Sequence, residues 1–175
     1  ENVTWTQVFP YTDRLNYASP LINNFLFAEA VERMLGVTVP ERSSYIRVIL
    51  SEVSRIAYHL TCLGMAAAEL GAITVGFYTN EARELLYNIN QEVTGARLKV
   101  TYGRVGGLAR DLPPDFADRM GAALTKIRET LSDTEKLLER NRIFIDSMVA
   151  ARGLTRPYEA TRALSGTLLK ATPIY

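Results

Sequence analysis

The stretch Tyr45-Ile-Arg-Val-Ile-Leu-Ser-Glu-Val-Ser-Arg-Ile-Ala-Tyr-His59 decides the fold class. It lies inside a helical segment that opens at Pro40 and runs to about Leu70, a span of roughly 45 Å at 1.5 Å per residue and longer than most globular helices. The segment ends in Gly64-Met65-Ala66-Ala67-Ala68, small residues that let a neighbouring backbone approach closely. A helix of this length with apolar residues in its middle needs partners, and the flanking sequence supplies them.

Upstream, Ser19-Pro20 reads as a helix start, with serine able to cap and proline favoured in the first turn. Leu21, Ile22, Phe25, Leu26, Val31 and Leu35 follow at three- and four-residue steps, and Gly36 suits the helix end. Downstream, Gly71 to Tyr78 reads as a connector, and Thr79 or Asn80 is expected to cap a third helix ending at Val93 before Gly95. Leu98, Val100 and Tyr102 alternate with polar residues, the pattern of a short strand or extended segment, and Gly103, Gly106 and Gly107 mark turns. Pro113-Pro114-Asp115 opens a fourth helix with an amphipathic stripe through Phe116, Met120, Leu124, Ile127, Leu131 and Leu138, reaching about Glu139. A short helix is expected over Ile143 to Val149. A loop from Gly153 through Glu159 should then lead into another that ends near Leu164. The fold class is mainly α: one helical domain over residues 1–175, with a short extended or β excursion around 97–107.

Composition excludes several functions. With 47% hydrophobic and 22% charged residues, the chain has the makeup of a folded domain rather than a disordered one. A net charge of +1 gives no basic face for nucleic acid. One cysteine, Cys62, cannot form an internal disulfide or a four-cysteine zinc or iron–sulfur site. The lone thiol and the lack of a signal peptide suggest a reducing compartment. The least charged stretch, Ile56 to Tyr78, contains His59 and Glu69, so a buried core helix is a better reading than a membrane span. Neither Glu1-Asn2 nor Pro173-Ile174-Tyr175 reads as a natural terminus, and the chain is expected to be the centre of a longer subunit.

Several polar residues stand out. Glu52, Arg55 and His59 share one face of the long helix; a buried salt bridge with a hydrogen-bonded histidine is preferred over a proton-handling stripe. Glu69 stands alone among small and apolar neighbours, which suggests a partner or a raised pKa and a functional role rather than a solvent-reaching helix end. Tyr17, before the first of these helices, reads on sequence alone as a packed ring that hydrogen-bonds a loop. Gly103-Arg104-Val105-Gly106-Gly107 matches no phosphate-binding pattern. With a single histidine and no nucleophile motif, hydrolysis by this chain alone is disfavoured.

Several blocks in order carry a resemblance: Pro10-Tyr-Thr-Asp-Arg-Leu-Asn-Tyr17; Tyr45 to His59 as quoted; Glu69-Leu-Gly-Ala-Ile-Thr74; and Thr94-Gly-Ala-Arg-Leu-Lys-Val-Thr-Tyr-Gly-Arg-Val-Gly-Gly107 followed by Asp111-Leu-Pro113. Together they resemble the quinone-facing subunit of respiratory complex I, the D-type subunit of the bacterial enzyme and the 49-kDa subunit elsewhere. The resemblance implies a fold like the nickel–iron hydrogenase large subunit and a part in proton-pumping NADH:quinone oxidoreduction. NADH would be oxidised elsewhere in the complex. Electrons would leave a terminal iron–sulfur cluster, bound by the B-type iron–sulfur subunit, for a quinone lying between that protein and this one. The C-type subunit and the H-type membrane subunit are further implied partners. The implied location is peripheral, on the cytoplasmic side of the bacterial inner membrane.

By the same resemblance, Tyr17 donates a hydrogen bond to the quinone headgroup, and Arg14 and Lys99 lie near the partner's cluster. Glu69 stands where relatives usually carry aspartate, paired with a histidine on an N-terminal hairpin, and Lys99 stands where many carry histidine. Val105 replaces a common proline, and Val75-Gly76 a usual proline–aromatic pair. No metal ligand is assigned to this chain, no cofactor is expected to bind it alone, and in isolation it is expected to be inactive and able to self-associate. Two alternatives remain at this point: a large-subunit relative from a membrane-bound hydrogenase or another electron-donor complex, and a non-catalytic helical scaffold.

Overall fold

A computed structural model describes residues 2–151, with the side chains of 150 and 151 left aside. The elements run α1 (Trp5–Thr12), α2 (Pro20–Leu35), α3 (Glu41–Glu69), α4 (Ile73–Thr94), β1 (Gly103–Arg104), β2 (Gly107–Leu108), α5 (Phe116–Arg140) and α6 (Arg142–Ala151). The chain is therefore mainly α with a small two-stranded antiparallel excursion, as the sequence suggests. The loop and helix expected between Gly153 and Leu164 lie outside the described residues.

The centre of the structure is the α3–α4 hairpin. Along the buried face of α3 run Ile46, Leu50, Val53, Ala57, Leu60, Gly64 and Ala67, flanked by buried Arg47 and Ser54, and along that of α4 run Val75, Thr79, Ala82, Leu86, Ile89 and Val93, flanked by buried Asn90. Both sets alternate steps of four and three, the spacing of a narrow coiled-coil-like seam. Leu21 and Phe25 of α2 pack on one side of this seam, and Phe116, Met120, Ala123 and Ile127 of α5 on another. Gly64 makes the crossing close: a Cβ there would meet Thr79 Oγ1 at 2.2 Å and Gly76 Cα at 3.3 Å. α4 begins at Ile73 rather than at Thr79 or Asn80, so Thr79 lies within the helix and packs at this crossing. Gly76 looks like a connector residue in sequence, but it sits inside α4, where its bare Cα lies close to Gly64.

The extended excursion also differs from expectation. The backbone ladder lies at Gly103–Leu108 and Arg104–Gly107, after the alternating residues rather than on them. Val100 and Tyr102 are buried in the main core without strand partners. Gly106 takes the turn with φ +88°, a conformation natural to glycine. α1, which no local pattern announces, forms despite Pro10, with Gln7 Oε1 accepting from the Thr4 amide at 2.9 Å at its start.

The buried salt bridge expected among Glu52, Arg55 and His59 does not form. Glu52 and Arg55 form a 3.2 Å pair within one exposed turn of α3, and His59 is exposed as well. The buried pair joins α2 to α3: Arg47 Nη1 and Nη2 donate to Glu32 at 2.9 and 2.6 Å. Arg47 Nη2 also donates to the Arg104 and Gly107 carbonyls, each at 2.9 Å, and the Gly106 amide donates to Glu32 Oε1 at 2.7 Å. The pair thus clamps the β-hairpin onto the two helices. Burial alone would raise the Glu32 carboxyl, but Arg47 and the Gly106 amide outweigh it and hold the pKa below the ordinary 4.5.

A carboxylate held below its unfolded pKa contributes stability that is present above the unfolded value and lost as pH falls through the folded one. Glu32→Gln should cost about 3 kcal/mol near neutral pH, because it leaves Arg47 buried without its counter-charge. The gap between wild type and variant should begin to narrow as pH falls below about 4.5, where the unfolded carboxylate takes up a proton, and close only after pH has passed the lower pKa of the folded state. Urea unfolding across that range measures both.

Candidate functional site

Three of the four residues singled out by the resemblance, Arg14, Tyr17 and Lys99, come together in the structure. They are brought there by one buried amide. Asn24 on α2 is 0% exposed, and its side chain meets three separate segments. Its Nδ2 donates to Asp13 Oδ1 and, at 2.7 Å, to the Val100 carbonyl, while Oδ1 accepts from the Thr12 hydroxyl at 2.6 Å. The end of α1, the 13–17 turn and the segment after α4 are thereby fixed to the first turns of α2. Both N–H donors and the oxygen of the amide have partners, so burying it carries no unpaired polar atom.

Asp13 is itself 1% exposed. Burial raises its carboxyl pKa above the ordinary value of 3.8, opposed by the Asn24 hydrogen bond, by Arg14 and Lys99, and by the Val100 backbone. Arg14 Nη1 donates to the Pro10 carbonyl at 2.5 Å and lies 3.6 Å from Asp13 Oδ2, with its side chain largely in solvent. Lys99 comes from the extended segment and donates to the Asp13 carbonyl at 2.9 Å and the Tyr17 carbonyl at 2.5 Å. Its ammonium lies 3.5 Å from the centre of the Tyr17 ring.

Tyr17 is not the packed ring that sequence alone suggests. It is 66% exposed, and among the described residues its hydroxyl makes no hydrogen bond. The phenol therefore stands on the surface with its O–H free to donate, backed by a cation on one face. Together with the Arg14 guanidinium, it gives one patch two kinds of donor suited to an oxygen that gains negative charge.

Glu69 is separate from this patch. It is exposed at the last residue of α3, so the idea of a carboxylate trapped among apolar neighbours does not hold. Ala18 and Pro20 lie beside Val53 and Ala57 of α3, and from Ala57 to Glu69 the helix climbs about 18 Å. A groove of about 640 Å³ between α2 and α3 contains none of Arg14, Tyr17, Glu69 or Lys99. The glycine turn at 103–107 is filled by the Glu32 carboxylate on the Gly106 amide, which leaves no place there for a phosphate.

Sequence reasoning misses Asn24, Asp13, Glu32 and Arg47. Asn24 lies within the apolar stripe of α2, where an amide can signal a buried polar contact, but its three partners lie as far away as Val100.

The fold and the patch define a mainly helical chain that presents an exposed phenol and two cations on one surface. A family model described as respiratory-chain NADH dehydrogenase, 49 kDa subunit, matches residues 69–174. The chain belongs to this family. A D-type subunit of NADH-quinone oxidoreductase from Sorangium cellulosum is 47% identical over 174 residues, covering 99% of this chain and 43% of that protein. Its namesake from Anaeromyxobacter sp. is 45% identical over 98% of this chain and 40% of its own length. The one from Myxococcus xanthus is 50% identical over 83% of this chain and 35% of its own. The chain thus spans less than half the length of these relatives.

Asn24→Leu should destabilise the chain by about 2–4 kcal/mol, because it removes a donor from the buried Asp13 carboxylate and strands the Val100 carbonyl, while Thr12 keeps its bond to the Phe9 carbonyl. Hydrogen exchange should show the largest loss of protection at residues 12–17 and 99–101. Unchanged protection there would remove Asn24 as the organiser.

Proposed function

We propose that this chain forms one wall of the quinone-reduction site of a proton-pumping NADH:quinone oxidoreductase, with Tyr17 as the donor to the quinone headgroup. The observation that carries the reading is the exposed phenol of Tyr17, fixed beside Arg14 and Lys99 by a buried polar knot. A quinone oxygen becomes a stronger hydrogen-bond acceptor as it is reduced, so a rigid O–H and nearby fixed cations favour the product side of electron transfer. The relatives' names, which pair NADH with quinone, support the same chemistry.

Electrons would come from an iron–sulfur cluster on a partner protein. Such clusters are normally held by several thiolates, and this chain has only Cys62, so its own residues do not fit a cluster. The role of this chain is to bind and orient: Tyr17 donates to the headgroup, Arg14 adds fixed positive charge, and the patch forms one side of a cleft completed by the iron–sulfur partner. Among the described residues no helix is long and apolar enough to cross a membrane, which fits a peripheral position on the cytoplasmic face beside a membrane-embedded partner. Glu69, exposed at the end of α3, would serve as a separate proton-handling group whose partner comes from outside the described residues.

In the complete complex, Tyr17→Phe should lower NADH:quinone reductase activity by about 10- to 100-fold, the loss of one hydrogen bond to a charge-bearing oxygen. NADH oxidation by an artificial acceptor, and the amount of assembled complex, should be unchanged. Wild-type quinone reduction by the variant would sink the assignment.

A further inference from the structure

Lys99 does more than lie near the patch. Its ammonium has three partners at once: the Asp13 carbonyl, the Tyr17 carbonyl and the face of the Tyr17 ring. Holding a long, flexible side chain in one place costs rotamer freedom, so a triple engagement marks a built contact rather than a chance one. All three partners are electron-rich and suit a cation.

The residue sits at the crossing of the two segments tied by Asn24. Val100, its neighbour, accepts from that amide, which fixes the Cα from which Lys99 reaches out. The Tyr17 backbone is held by Lys99 from one side and, through Asp13, by Asn24 from the other. The ring is then fixed at its base and on one face, leaving its edge and hydroxyl to solvent.

We propose that Lys99 is a positioning residue for Tyr17, fixing the direction of the phenol through its charge on the ring face and its two backbone hydrogen bonds, so that the O–H meets an anionic oxygen in line. This rests on the reading of Tyr17 as the donor to the quinone. A cation over an aromatic face is attracted by the negative face of the ring, which holds the ring in place while the side chain carries its charge. The effect of that charge is greatest when the acceptor carries negative charge, so it acts on the reduced quinone more than on the oxidised one. Partial burial pulls the Lys99 pKa below its ordinary 10.5; of the charged groups facing it, Asp13 opposes that shift and Arg14 adds to it. The next charges, Arg83, Glu84 and Arg97, gather around Tyr87 on α4.

The test is a set of variants in the assembled complex: Lys99→Met, Lys99→Arg, Lys99→His, Tyr17→Phe, and Lys99→Met with Tyr17→Phe. Lys99→Met should lower quinone reductase turnover about tenfold, Lys99→Arg should keep most of it, and the double variant should be no worse than Tyr17→Phe alone. Lys99→His should acquire a pH dependence that the wild type lacks. Its turnover should match Lys99→Arg below about pH 6 and fall toward Lys99→Met above about pH 7, as the imidazolium loses its proton.

If Lys99→Met does not assemble, the pH profile of Lys99→His against Lys99→Arg carries the test. The proposal is overturned if the histidine variant keeps a wild-type pH profile, or if Lys99→Met lowers the turnover of Tyr17→Phe by its full factor. An impaired Tyr17→Phe with a fully active Lys99→Met would remove Lys99 and leave Tyr17 in place. A fully active Tyr17→Phe would remove the quinone reading itself.

Discussion

The side-chain amide of Asn24 is the interaction on which the candidate site depends. It lies fully buried on α2 and gives its two N–H donors to Asp13 and Val100 and its oxygen to Thr12. Without it the 13–17 turn and the segment through Lys99 would each be surface loops with separate freedom. With it, Arg14, Tyr17 and Lys99 share one frame set by the first turns of α2. The hydrophobic effect cannot supply this specificity, because apolar contact is non-directional, whereas an amide with three partners is satisfied in only one arrangement.

The structure uses this device twice. At one end of α2 the Asn24 knot holds the turn that carries Tyr17; at the other, Glu32 and Arg47 hold the β-hairpin. Between them the α3–α4 seam supplies the bulk of the core, drawn tight where Gly64 meets Gly76. The apolar seam fixes which helices pack together, and the polar knots fix where the irregular segments lie. Both knots join parts of the chain far apart in sequence, Asn24 with Val100 and Glu32 with Gly106.

That separation explains what is and is not legible in the sequence. Helices α2, α3 and α5 are legible because their apolar spacing, proline starts and terminal glycine are local signals. The start of α4 is not, since Gly76 reads as a breaker until its partner Gly64 is known. α1 is hidden by Pro10 and by its short length. The functional residues divide the same way. Arg14, Tyr17 and Lys99 follow from blocks that resemble the family, but their convergence depends on Asn24, whose role is invisible without its distant partners. Glu52, Arg55, His59 and Glu69 read as buried because their neighbours in sequence are apolar. On a helix those neighbours occupy the other faces, and all four side chains lie exposed.

The patch is open: a free phenol and a guanidinium on the surface, with nothing among the described residues lying over them to enclose a ligand. In the proposed reading, a covering surface that carries an electron source completes it. The most direct measurement is photoaffinity labelling of the complete complex with a quinone whose headgroup carries the reactive group, followed by mapping of the labelled residues. Label within residues 14–17 and 98–100, competed away by unmodified quinone, is expected. Competed label that leaves these segments untouched would contradict the account.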